Sequence, residues 1–108
     1  MTARVGALLA LAGCAAATTP RGTYRAPETY GGGDGSSCTN RVIVHAPNEQ
    51  AGADAETNWL LATYPGHQRG AQKLGKCDEH PVDVIRVHTA EGQSIDVYFD
   101  IFEYYGRF

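Results

Sequence analysis

The sequence predicts an α+β domain: a small, largely antiparallel sheet in the order strand-helix-strand-strand-strand, with one helix on one face. Three observations lead there. Residues 82–89 and 93–101 are β-branched and aromatic runs flanking Ala90-Glu91-Gly92, a three-residue hairpin loop with a left-handed Gly. Residues 39–45 read as another strand, with apolar residues on both sides of the pleat. Between them, residues 53–64 repeat with the period of a helix.

The first strand, Thr39-Asn40-Arg41-Val42-Ile43-Val44-His45, ends at Ala46-Pro47-Asn48, because Pro has no N–H for a ladder. In the helix, Ala53, Thr57, Leu60, Leu61 and Tyr64 fall on one face. Asp54 and Glu56 occupy its first turn, where carboxylates suit the dipole, and Pro65-Gly66 stops it. Trp59 is placed at the margin of the apolar face. Gln72, Leu74 and Lys76 alternate weakly, which predicts a short or irregular second strand within 67–76, followed by a turn over 77–81.

The hairpin specifies its own register. With Thr89 facing Gln93, the pairs Val87–Ile95, Ile85–Val97 and Asp83–Phe99 share a mainly apolar face directed at the helix, with Val97 under Leu60 and Leu61. His88–Ser94, Arg86–Asp96, Val84–Tyr98 and Val82–Asp100 share the other face. A slip of one residue would turn the apolar set to water. Beyond Asp100 the chain is expected to leave through one helical turn capped by that residue.

The chain has 108 residues, which leaves room for one domain. Its net charge of −3 and pI near 5.7 argue against nucleic acid as a partner. No apolar run reaches the roughly 18–20 residues needed to span a bilayer. The N-terminus instead has the layout of a secretory signal: Arg4, a short apolar run over 5–12, then small residues. From Ala15 to Ser37 the chain is Ala, Thr, Pro, Gly and Ser with no helical or strand period, a composition that cannot repay its ordering entropy. The organisation read from the sequence is therefore 1–13 signal peptide, 14–37 tether and 38–108 folded domain.

Leu11-Ala12-Gly13-Cys14 at the end of the apolar run resembles the lipobox of bacterial lipoproteins. That resemblance implies diacylglyceryl transfer to the Cys14 sulfur, cleavage before Cys14, and attachment to the cell envelope through an N-terminal lipid. Ala15 rather than Asp after the Cys implies the outer membrane in a Gram-negative cell. The mature part is similar to small, uncharacterised bacterial secreted domains. The similarity lies in Gly33-Asp34-Gly35-Ser36-Ser37, Asn48-Glu49, Trp59-Leu60, Tyr64-Pro65-Gly66, Pro81, Asp83-Val84-Ile85 and Val97-Tyr98-Phe99-Asp100-Ile101. It implies no catalytic residue, and Cys38 and Cys77 fall outside it.

Two cysteines remain in a domain exported to an oxidising compartment, so Cys38 and Cys77 are expected to pair. Such a bridge favours antiparallel adjacency of the first two strands. His45, His67, His80 and His88, with Asp78, Glu79 or Asp83, raise a metal site, but none of the spacings is that of a zinc motif. Ser94 beside His88 is the one Ser–His proximity the register supplies, on a face that offers no oxyanion site. No catalytic residue, metal or cofactor is assigned. The expected function is binding, to an envelope protein or a cell-wall component. The candidate surface is the sheet face carrying Tyr98, Arg86, His88 and Asp96, because aromatic and Arg side chains dominate interface energies. The alternatives are a small hydrolase or metal enzyme using His80 or His88 with nearby acids, and a purely structural lipoprotein.

Overall fold

The computed structural model describes residues 29–108. The expected signal sequence, Cys14 and most of the expected tether lie outside the described residues. The described residues form an α+β fold with one helix and a five-stranded mixed sheet. In chain order the elements are β1 (Tyr30–Gly32), β2 (Val42–Val44), α1 (Glu49–Thr63), β3 (Gln68–Cys77), β4 (His80–His88) and β5 (Ser94–Asp100). The sheet order is β1-β2-β5-β4-β3.

Three of the four pairings are antiparallel, and β2–β5 is parallel. The chain path requires this. Helix α1 returns the chain along the sheet, so β3 starts in the direction of β2. The two reversals after β3 then bring β5 back in that same direction. Fifteen helical residues span about 22 Å, enough to carry the chain across one face from β2 to the far edge.

The hairpin register is the one the sequence predicts, in all seven pairs from Val82↔Asp100 to His88↔Ser94. Gly92 takes the left-handed conformation (φ 91°) and donates its N–H to Thr89 O at 2.9 Å. Strand β3 is longer than expected and runs along the sheet's edge, with a register shift between Arg69 and Gln72. It reverses into β4 through Asp78 and Glu79 alone, both with positive φ, the condition for a two-residue type I′ turn.

Two expectations are corrected. The fold begins before Cys38: Tyr30–Gly32 pairs with Val42–Val44, and Gly35 is buried against Val97, Val42 and Trp59. Backbone pairing holds this stretch although its composition is that of a linker. The other correction concerns the staple. Cys38 and Cys77 are disulfide-bonded, with Cα atoms 5.5 Å apart. The strands they flank, β2 and β3, are not neighbours, since β5 and β4 lie between them. The loop before β2 carries Cys38 across about three strand spacings, roughly 14 Å.

The helix is also rotated from the expected face. Asn48 caps it, accepting from Ala51 N at 2.9 Å, and its buried residues are Gly52, Ala55, Glu56 and Leu60. Leu61, expected inside, is 56 % exposed, and Ala53 and Thr57 face outward. The real inward stripe contains a glycine and a carboxylate, so an apolar count cannot find it. Leu60 meets a core of Val42, Val44, Ile85, Val97 and Phe99, and Trp59 packs edge-on against Phe99 with ring centres 5.4 Å apart. Burying each of these large side chains contributes roughly 1.5–3 kcal/mol.

After β5, Asp100 Oδ1 accepts Phe102 N–H at 3.0 Å and caps one turn, as expected. That turn places Tyr104 in the core and brings Arg107 O to Glu49 N, so the C-terminus closes over the start of α1.

Candidate functional site

The period of two along β4 and β5 delivers Tyr98, Arg86, His88 and Asp96 to the sheet face opposite the helix. Tyr98 packs against Val82, Val84 and Cys77, a satellite cluster that closes the lower half of that face. Above it, the Arg86 guanidinium grips Asp96, with Nε at 2.5 Å from Oδ1 and Nη2 at 3.4 Å from Oδ2. That bond from Arg86 holds the Asp96 carboxyl below the usual range. Lys73 of β3 joins the pair around a shallow recess of about 200 Å³ with Ala71 and Val84. The face is therefore amphipathic, with a half-buried aromatic beside paired and unpaired charges.

His88 Nδ1 lies 2.9 Å from Ser94 Oγ, as the register predicts. Asp96, the next carboxylate on that face, is held by Arg86 and does not orient the imidazole. His80 sits eight residues away at the other end of β4, about 26 Å along the strand, so the two histidines do not form one centre. His45 approaches Glu103 Oε1 at 3.3 Å, and His67 the Tyr64 carbonyl at 2.8 Å. Among the described residues no group of three or more His, Cys, Asp or Glu is arranged to hold a metal ion.

Two polar centres were not legible in the sequence. At the disulfide end, Asp100 accepts from Arg41 Nε at 2.8 Å and Phe102 N at 3.0 Å, and pairs with His80 Nδ1 at 2.8 Å. Burial pushes its carboxyl up, but the bonds from Arg41, His80 and Phe102 outweigh it and hold the pKa below the usual range. Arg41 also donates to Cys38 O at 2.7 Å and to Asp78 Oδ2 at 3.1 Å. His80 stacks on Phe102 with ring centres 4.3 Å apart. This cluster ties the loop before β2, both ends of the β3–β4 turn and the C-terminal turn into one corner.

The second centre lies between helix and sheet. Glu56 is 2 % exposed and accepts from Tyr104 OH at 3.1 Å. Burial, then the neighbouring Asp83 carboxyl, pushes Glu56 up to about 9, so it holds a proton at neutral pH. Burial likewise raises the Tyr104 phenol. A protonated Glu56 can lie beside the half-buried Asp83 without the repulsion of two anions. The signal for this centre was Asp83, a carboxylate on the inward register face opposite Phe99. Its partner Glu56 reads in the sequence as a first-turn acid suited to the helix dipole.

The Glu56 centre joins α1, β4 and the C-terminal turn and borders a recess of about 200 Å³ that Arg69 and Gln72 also line; the Asp100 cluster is a corner brace. The sheet face around Tyr98 leaves Arg86 and His88 exposed, with Tyr98 and Asp96 half-buried beside them. No protein-family model, curated protein or solved structure matches the chain.

Proposed function

We propose that this protein is a lipid-anchored bacterial cell-envelope protein that acts by binding an envelope protein or a cell-wall component. Cys14 carries the lipid, residues after it form the tether, and the sheet face around Tyr98 and Arg86 makes the contact. In a Gram-negative cell the anchor is in the outer membrane. The observation that carries the reading is the Cys38–Cys77 disulfide. Such bonds form and persist in oxidising compartments, and it stands beside an N-terminal Leu11-Ala12-Gly13-Cys14 that leads to export. The amphipathic face supports binding because an aromatic ring flanked by Arg is the usual make-up of an interface anchor.

Two measurements in cells test this. Cys14→Ser is expected to abolish palmitate labelling and leave an uncut precursor; unchanged labelling removes the anchor from the reading. A photoreactive phenylalanine analogue replacing Tyr98 is expected to give a discrete adduct that Arg86→Ala weakens. The same analogue at Leu61, exposed on the far side of the helix, is the control. Equal adducts from both positions refute the assigned face.

A further inference from the structure

Strand β3 forms one edge of the sheet and carries a charge opposite to that of the domain. Residues 29–108 hold six Lys and Arg against eleven Asp and Glu, yet β3 contains Arg69, Lys73 and Lys76 and no acid. Arg41 and Arg86 are spent on Asp100 and Asp96. Among the described residues, Arg69 and Lys73 have no carboxylate at ion-pairing distance, and Lys76 reaches only the exposed Glu79 at 3.8 Å. The Arg69 donors go instead to the neutral oxygens of Thr57 and Gln72.

The edge is also long, and regular from Gln72 to Cys77. Sheet edges in soluble proteins are kept short or broken, because their outward N–H and C=O groups template a further strand. Here the register shift lies between Arg69 and Gln72, and from Gln72 to Cys77 pairing with β4 is unbroken. Leu74, 55 % exposed, lies on the helix side of this run between Gln72 and Lys76, while Lys73 projects to the opposite face beside Val84. An added strand would thus meet a cation on each face and an apolar side chain between polar ones.

We propose that the β3 edge is a docking site for an extended, acidic segment of a partner protein, which adds to the sheet as a sixth strand. Main-chain hydrogen bonds to residues 72–77 supply the pairing, and Lys73 and Lys76 select carboxylates. A second copy of this chain is disfavoured at the same edge because it would bring Arg69, Lys73 and Lys76 against themselves. The site goes beyond the Tyr98 surface, with which it shares Lys73, and does not need the lipid.

The probe is an acetylated, amidated peptide of alternating Glu and Val, titrated into the full chain in non-ionic detergent at low salt. Saturable binding is expected, with newly slowed amide exchange confined to the outward-facing amides of β3. Lys73→Glu with Lys76→Glu, both exposed positions, is expected to weaken it more than about tenfold and to create affinity for the Lys-for-Glu peptide. Unchanged slow exchange of the β4 and β5 amides in that variant shows that it is folded. N-methylation of alternate peptide amides, which keeps every charge, is expected to abolish binding. Equal binding by the N-methylated peptide overturns the proposal in favour of diffuse charge attraction. Slow exchange of the outward-facing β3 amides, those not bonded to β4, in the chain alone, whether from a second copy or from its own N-terminal residues, overturns it because the edge is already taken.

Discussion

Replacing Glu56 by Gln is expected to stabilise the domain at neutral pH, by an amount that grows with pH. The folded state raises Glu56 from 4.5 to about 9, burial being the larger cause and Asp83 the next. Between those values the folded protein keeps a proton that the unfolded chain releases, so stability is full below pH 4.5 and drains away as pH rises towards 9. The slope is about 1.4 kcal/mol per pH unit, or about 3 kcal/mol lost by pH 7. Gln has the same shape, accepts from Tyr104 OH and offers its amide to Asp83, but has no proton to hold. The variant should therefore match the wild type near pH 4.5 and exceed it by about 3 kcal/mol at pH 7, roughly 10–20 °C in Tm for a domain of this size. The assay is urea unfolding at pH 5, 6, 7 and 8 with the disulfide intact, followed by the fluorescence of Trp59, the one tryptophan, which packs on Phe99. Asp96 and Asp100, whose pKa values are lowered, contribute stability that is lost only as pH falls through those lowered values. Both proteins share that loss, so the difference between them isolates residue 56. A difference that stays constant from pH 5 to 8 would refute the raised pKa of Glu56.

Two further substitutions probe the scaffold. Cys38→Ala opens a bridge spanning 39 positions and should cost roughly 3–4 kcal/mol by loop entropy, while the wild type should show no alkylatable thiol among Cys38 and Cys77 until reduced. Gly52→Ala would improve helix propensity by about 1 kcal/mol, yet an added Cβ lies 2.2 Å from the Tyr104 ring. The clash should win, leaving a net loss of about 1–3 kcal/mol in denaturant melts and freeing Tyr104 from Glu56.

The hairpin was readable in full because each of its constraints is local. Alternation along 82–89 and 93–101 and a left-handed Gly92 specify the same register, and no distant residue is needed to choose it. The helix was readable in extent to within a few residues but not in orientation. Its inward stripe of Gly52, Ala55, Glu56, Trp59 and Leu60 places a carboxylate where the period calls for a hydrocarbon. Only the arrival of Asp83 from β4 and Tyr104 from the C-terminal turn makes that acid an inward residue. The four residues assigned to the open face do share it, yet the Arg41–Asp100–His80 cluster at its end depends on a contact 59 residues apart in sequence.

By itself, then, the sequence determined the α+β class, the hairpin register, the turn capped by Asp100 and the pairing of the two cysteines left in the domain. The tertiary structure decided which strands are neighbours, where Cys38 must travel to meet Cys77, and which acids are buried. The division has one physical cause. Alternation, capping and turn geometry act between residues close in the chain and leave a mark in the letters. Strand order and a buried Glu whose pKa is raised arise when distant segments exclude water together, and a Glu in a sequence carries no mark of whether water will remain beside it.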